Sequence, residues 1–587
     1  MPSVAFQLIT AGLVIWLLTV VQRKISRIQN ALGDLGDCPG RAILWLHPFR
    51  SLALVTGSFY PLKGQMGDYF AKFSQYSEYG STCLSSVIFW RAIPTYFVAD
   101  ADAVKFINNE RHLFEKDVEA YEPLNIYGYN IGSVAGSEWK RHRSIVKNAF
   151  NEANNAFVWS ETCRFISQWF SSLDADPAFS HGEQSTDVLA IFKQIAFLVI
   201  ASAGFGAKMN FNLDMDIEKT PQIDRLATTN SEVPVLSFGV SLTTSMKRFF
   251  VRLFAPALMY PIAKRIEIPM ISRVLEETTV GFSSLKWHMQ SVISDARDAY
   301  LKEPVHGIDN VRKQGLVDAP TKDASAALLR NLVQANMAEE AGSNRRLTDD
   351  ELTSNTFVFL LAGHETTAHS LCFALILLAI HPQIQAKIYE EVCQLWPDPP
   401  SLDQPPAYKD TIPRLEYTTA TFYEAIRLFS PVPRLGKTVL VDTTLKARKF
   451  STNLEGKITG IEEYNIPLRA GSIVIVDSHG LHMNPIHWGD DVAKFKPERF
   501  IDTPTYKWPR DAYASFSQGH RSCIGQRFAI TEGTCVLANL LRRYEVLLPV
   551  ELESKPREEQ ERILLAWKPG VTIIPQNARV RLKKRWA

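Results

Sequence analysis

The chain opens with a run that has no hydrophilic face. SVAFQLITAGLVIWLLTVVQ, Ser3 to Gln22, carries no charge and is long enough to cross a bilayer as one helix. Arg23, Lys24 and Arg27 follow at once, which places the cytosol at the C-terminal end of the run. A cleaved signal peptide would carry its positive residues before the apolar run and small residues at a cleavage site after it, and neither pattern is here. The pattern therefore predicts a single-pass anchor over 3–22, a Pro/Gly-punctuated linker and entry over 23–65, and a folded domain over 66–587. It puts that domain on the cytosolic face of a membrane.

Helical periodicity dominates from about residue 66 to 300, interrupted by the strand-like PTYFVAD at Pro94 to Asp100. Residues 249–263, FFVRLFAPALMYPIA, are apolar around two prolines and read either as a buried core turn or as a second patch dipping into lipid. Residues 303–324 read as a polar loop. A long helix then starts at Thr348, where Glu351 three residues on completes a capping box. Its run TFVFLLAGHETTAHSLCFALILLAIHP is apolar nearly all round and ends before Pro382. His364, Glu365 and His369 in the middle argue for a helix inside a protein core, not one in lipid. After RLFSPVPRLG the pattern turns strand-like, with an enlarged connection at Leu445 to Asn465, and becomes helical again after Gly525. The expected fold is predominantly α with smaller β-sheets, an α+β domain behind an N-terminal transmembrane helix.

The bulk numbers narrow the chemistry. With 587 residues, 46% hydrophobic, the chain can bury a large core. A formal net charge of +2 gives no reason to expect a nucleic-acid partner. Seven scattered cysteines without a CxxC pair argue against a structural zinc site and for a reducing compartment.

Three local patterns carry candidate chemistry. AGHETT, Ala362 to Thr367, sets a helix-weakening Gly363 beside an acid and two hydroxyls. A threonine there can bond back to the carbonyl four residues earlier and bend the helix, opening a groove for a small molecule. Glu365 beside Thr366 suits proton delivery, although a kinked core helix with a satisfied glutamate is the plainer reading. YEAIR puts Glu424 and Arg427 on one helix face, and FKPERF adds Arg499. These three read as a buried, fully paired scaffold. FSQGHRSCIG, Phe516 to Gly525, surrounds one thiol with glycines. A lone cysteine is ordinarily a small buried hydrophobe. Here Gly519 and Gly525 allow a tight fold and close approach to a flat cofactor, Arg521 offers a cation to a carboxylate, and the helix starting after Cys523 favours an anion. Phe516 can shield the sulfur.

FSQGHRSCIG resembles the cysteine loop of the cytochrome P-450 monooxygenases, Phe-x-x-Gly-x-Arg-x-Cys-x-Gly, with every fixed position met. AGHETT is similar to the family's oxygen-binding helix, EAIR to its Glu-x-x-Arg, PERF to the segment supplying the third member, and WKRHR to Trp-x-x-x-Arg. The likeness covers roughly residues 35–575, in the family's order. It implies haem b (iron protoporphyrin IX) with Cys523 as axial iron ligand. Trp139 and Arg143 would lie against a propionate, as would Lys437 or Arg434. Ala362 and Gly363 would lie beside the cofactor. Catalysis would fall to Glu365 and Thr366, and Glu424, Arg427 and Arg499 would be structural.

The resemblance further implies hydroxylation of a lipophilic substrate by O2. Two electrons would come from a separate NADPH-dependent flavoprotein reductase, with cytochrome b5 as a further candidate, at the endoplasmic reticulum. Lys140, Arg141, Lys147 and Arg527 are candidates for the reductase-facing surface. Segments 118–136, 357–362, 431–435 and 567–570 are candidates for the substrate lining. The sequence style suggests a fungal enzyme of secondary metabolism, such as terpenoid chemistry, or of detoxification. Two rivals stand beside this: a reductase-independent peroxide isomerase or dehydratase of the same family, against which the acid–alcohol pair weighs, and a non-enzymatic haem sensor.

Overall fold

The computed structural model describes residues 4–54, 56–57, 59–176, 179, 183–207, 209–211, 235–255, 259, 265, 269–302, 326–337, 346–398, 406–453 and 456–585. The polar loop expected at 303–324 and much of the apolar stretch 249–263 lie outside these residues. The chain divides into two compact units. One comprises Met1–Ala120, Val432–Lys494 and Pro509–Ser522; the other comprises Tyr121–Pro431, Phe495–Trp508 and Cys523–Ala587.

The first unit begins with helix α1, Val4–Gly33. The sequence places a linker from residue 23, but the helix continues eleven residues further on, because nothing between Gln22 and Asn30 is a glycine or proline. The most apolar window of its segment Leu8–Gly33 is entirely unburied. Near its end Lys24 lies over the Phe89 ring, 5.4 Å from the centroid, and donates to the Trp90 carbonyl. Helix α2 is Ala101–Asn109, capped by the Asp100 carboxylate, which accepts from the N–H groups of Asp102 and Ala103.

Among the described residues the same unit holds eight strands: β1 Ala42–Leu44, β2 Cys83–Ile88, β3 Ile93–Val98, β4 Phe114–Lys116, β5 Arg434–Val439, β6 Thr443–Thr452, β7 Ile458–Leu468 and β8 Ile473–Asp477. Six form one sheet in the order β1-β2-β3-β8-β5-β4. The strand read at Pro94 to Asp100 is β3. The enlarged connection at Leu445 to Asn465 is an antiparallel hairpin of β6 and β7, irregular between Lys449 and Ser451. In the sheet, β4 and β5 run antiparallel with Lys116 directly opposite Lys437.

The second unit is mostly helical. The helices that build its site are α3 Gly136–Val146, α4 Glu152–Ala175, α5 Val188–Phe205, α6 Asp349–Ile380, α7 Glu416–Leu428 and α8 Gln526–Arg543. Two small sheets accompany them, one of Glu183–Asp187, Tyr544–Leu547 and Arg579–Lys584, the other of Trp567–Pro569 and Ile573–Pro575. α5 and α6 are long and apolar enough to cross a membrane, yet 83% and 89% of their most apolar windows are buried in protein. They pack against each other. Thr348 caps α6 with the expected reciprocal bonds to Glu351.

Candidate active site

Cys523 lies just before α8, in the second unit. Its residue surface is open, yet the sulfur is surrounded closely enough that burial pushes the thiol up. Two features pull the other way: the backbone N–H of Gly525 donates toward the sulfur, and the Arg143 guanidinium of α3 favours its negative form. Arg143 stacks over the ring of Trp139, 5.5 Å from the centroid, and Trp139 is itself buried. Helix α3 thus presents the Trp-x-x-x-Arg pair as one rigid group. A metal ion replacing the thiol proton would complete this arrangement, since the donors already favour the anion.

A Cβ at Gly525 would meet Phe150 and the Cys523 sulfur at 3.9 and 4.0 Å, ordinary contacts.

α6 is buried along nearly its whole length but shows open surface at Ala362, with Gly363 and Thr366 partly open. Ala362 and Thr366 are one turn apart, so the opening is a stripe on one face. Thr366 Oγ1 donates to the Ala362 carbonyl at 2.7 Å, the back-bond the sequence suggested. The helix is nevertheless α-helical without interruption from Asp349 to Ile380. The space beside Gly363 is taken by Ile200 of α5, 3.1 Å from where a Cβ would stand. This glycine lets two core helices approach. Glu365 is buried, and desolvation raises its carboxyl, with Lys193 opposing. His364 and His369 are core histidines. Burial drops His364 to about 3, and His369 Nδ1 meets Thr572 Oγ1 at 2.8 Å.

The three scaffold candidates lie together in this unit. Arg427 Nε and Nη2 donate to Glu424 Oε2 and Oε1 at 2.6 and 2.8 Å, and both residues are fully buried. The Lys496 N–H donates to Glu424 Oε1 at 3.0 Å, and Arg499 Nε lies 3.6 Å from the same oxygen.

Arg141 corrects the expected basic surface. Its side chain is only 11% exposed and pairs with Glu138 at 2.5 Å and with Glu351 of α6. His142 beside it is buried, with Nε2 3.3 Å from Glu351 and Nδ1 beside the Asn355 amide. These residues fasten α3 to the start of α6 and leave Arg141 no part in a solvent-facing patch. Arg527 is exposed but paired with Glu152 at 2.6 Å. Lys140 and Lys147 remain exposed.

The first unit holds the rest of the loop. Gly519 has φ +68°, and a Cβ would stand 2.5 Å from the Asn108 carbonyl at the end of α2, so only glycine fits. His520 Nδ1 lies 3.2 Å from the same carbonyl oxygen. The Phe516 ring is 6.4 Å from Tyr513. Arg434 is committed within this unit: buried over Phe97, it donates to Asp477 at 3.2 Å and lies 3.6 Å from Asp68. Lys437 is buried and pushed down to about 8, by desolvation and then by Arg521. Lys116, which no local pattern singles out, is pushed well below the usual lysine range by burial, Arg521 and Lys437, with Asp117 opposing.

Each set fits part of an iron porphyrin. The thiol suits a soft metal ion, and the cations suit carboxylates. Such residues define a protein of the haem-thiolate class. The family model for cytochrome P-450 matches residues 48–574, and this chain belongs to the cytochrome P-450 family. It is 31% identical over 552 residues to cytochrome P-450 monooxygenase 124 of Postia placenta, covering 92% of this chain and 94% of the relative. It is 25% identical over 517 residues to cytochrome P-450 monooxygenase prx9 of Penicillium rubens, covering 83% and 80%. A putative cytochrome P-450 of Caenorhabditis elegans is 26% identical over 454 residues, covering 77% and 76%. The chain is accordingly a haem-dependent monooxygenase, an oxidoreductase.

Proposed function

We propose that this chain is a membrane-anchored monooxygenase of haem b that places one atom of O2 in a lipophilic organic substrate, with electrons from an NADPH-dependent flavoprotein reductase. The observation that carries the reading is the Cys523 sulfur, faced by the Gly525 N–H and the Arg143 guanidinium. Bound haem supplies the activation of O2 and the oxidation itself, which a thiolate ligand favours.

The protein's own residues have distinct tasks. Cys523 holds the iron. Trp139 and Arg143 would meet a carboxylate of the cofactor; Lys437 and Arg521 are further candidates for that task. With Arg434 engaged by Asp477, Lys437 is the better carboxylate partner of the two. Glu365, its carboxyl raised by burial, retains a proton that it can deliver into the open stripe of α6. Thr366 commits its hydroxyl proton to Ala362, so its oxygen lone pairs are free to orient a donor there. The small side chain of Ala362 leaves room for substrate. Lys140 and Lys147 form the cationic contact for the reductase. The anchor α1 suits the endoplasmic reticulum membrane, and fungal relatives fit a role in secondary metabolism or detoxification.

Reducing the purified holoenzyme under carbon monoxide gives the red-shifted Soret band of a thiolate-bound iron. NADPH consumption with added reductase then rises when a lipophile is supplied. A fully loaded protein without that band refutes thiolate ligation; consumption that never responds to any member of a lipophile library refutes the monooxygenase cycle. Lys140→Glu with Lys147→Glu slows reduction more at low salt than at high salt. Equal loss of peroxide-driven turnover refutes the docking role.

A further inference from the structure

We propose that Cys163 and Cys535 form a reversible disulfide, closed by hydrogen peroxide, that staples α4 to α8. The inference does not lean on the haem reading, and it assigns a modification site other than Cys523.

Cys163 on α4 and Cys535 on α8 are 372 residues apart in the chain, yet their sulfurs lie 3.4 Å from each other. The two helices pack together. The Cys535 thiol has only a weak alternative acceptor, the Trp159 carbonyl at 3.8 Å. Bond formation needs the sulfurs to close from 3.4 Å to about 2 Å. In the first unit, by contrast, the Cys38 and Cys83 sulfurs are 3.8 Å apart, and Cys38 also donates to the Cys83 carbonyl at 3.6 Å.

Packing alone would be served by two apolar side chains, but the third member of this group is an amide. Asn539, one turn beyond Cys535 on α8, donates to the Cys535 carbonyl at 2.8 Å. The same amide nitrogen lies 3.5 Å from the Cys535 sulfur and 3.9 Å from the Cys163 sulfur. An N–H gains little from a neutral thiol and much more from a thiolate. Asn539 is half-buried, so it opens the pair toward solvent, while Cys163 and Cys535 are 4% and 0% exposed. Burial, Cys163 and Glu532 raise the Cys535 thiol, with Asn539 opposing. Cys163 is therefore the sulfur that peroxide meets first, and Cys535 keeps its proton for the second step.

The Cys163 thiolate attacks one peroxide oxygen. An S–O bond forms, the O–O bond breaks, and the departing hydroxide takes up the Cys163 proton as water. Cys535 then attacks the sulfenic sulfur. The S–S bond forms, the S–O bond breaks, and hydroxide leaves with the Cys535 proton as a second water. Two electrons pass from the sulfurs to the peroxide. Because Cys535 is already in contact, it captures the sulfenic acid before more peroxide carries it to the irreversible sulfinic state. Thiol reductants reopen the link. A cross-link between positions so far apart restricts the unfolded chain and so resists unfolding.

The test exposes the full-length protein to hydrogen peroxide, alkylates the remaining thiols in denaturant and maps the peptides by mass spectrometry. A cross-linked pair carrying Cys163 and Cys535 appears and is released by dithiothreitol. The urea midpoint rises with it and falls back on reduction. In Cys535→Ala, Cys163 goes on to sulfinic acid instead. Asn539→Leu closes the link about tenfold more slowly, as expected for one lost hydrogen bond to an anion. The proposal is overturned if both thiols are still alkylated in wild type, if Cys163 there reaches sulfinic acid without the link, or if the link forms only after urea has unfolded the protein. Closure in Asn539→Leu within twofold of wild type overturns the path along the amide. The wild-type map decides the disulfide even where a variant fails to fold, and none of these readouts depends on the carbon monoxide band.

Discussion

Replacing Glu424 by alanine removes both acceptors of the Arg427 fork, the acceptor of the Lys496 N–H and an anion 3.6 Å from Arg499 Nε. Arg427 is fully buried and cannot turn to water, so its charge is left uncompensated. Breaking a buried pair from one side costs about 3–5 kcal/mol. Typical domain stabilities are about 5–15 kcal/mol, so the loss takes a large share of the total. Urea titration followed by tryptophan fluorescence is the assay, with haem content per polypeptide measured on the same samples. Glu424→Ala lowers the unfolding midpoint and the haem content together. Glu424→Leu with Arg427→Met, an apolar pair of similar volume, recovers much of the midpoint, because it removes the stranded charge. The reasoning is refuted if the single variant unfolds where wild type does, or if the double variant is no better than the single one. In either case the ion pair would not be what α7 contributes.

Thr366→Ala leaves NADPH consumption running but lowers product per NADPH about tenfold or more, the scale of a lost proton-transfer group; unchanged coupling removes Thr366 from the proton path. Gly519→Ala forces a left-handed residue and a 2.5 Å contact with the Asn108 carbonyl, so the yield of loaded protein falls sharply; a normal yield would show that the loop can move aside. Lys437 titrates at about 8 in the fold, against about 10.4 in an unfolded chain. Between those values the unfolded chain binds more protons, so apoprotein stability rises with pH across that window, by up to ~3 kcal/mol at 1.36 kcal/mol per unit. A flat profile between pH 8 and 10, or one that persists in Lys437→Met, contradicts the burial argument.

What could be read from the chain alone was what its local spacing encodes. The cysteine loop, the Glu-x-x-Arg pair and the Thr348 capping box each sit within ten residues, and the last two form the bonds that their spacing suggests. The residues that escaped are those whose meaning depends on distant partners. Arg141 reads as a surface cation in WKRHR and becomes a clamp only because Glu351, 210 residues on, is brought beside it. Lys116 acquires its neighbour Lys437 through strand pairing across more than three hundred residues, which no local pattern foretells. Gly363 has a packing task that no local pattern foretells: its small size accommodates Ile200, a contact set by helix packing. The end of α1 was missed because hydropathy marks where lipid stops, while helix propensity continues past it.

That unbroken helix has a mechanical consequence. From Gln22 to Ala31, where burial in the first unit begins, an α-helix rises about 14 Å at 1.5 Å per residue. Seated in a bilayer, α1 acts as a stiff post: the sheet it carries stands at a fixed height, and tilting the span must rock that sheet with it. Cutting the chain after Gln22 would therefore free the protein from lipid with the post's foot intact, whereas cutting after Gly36 would remove the foot as well.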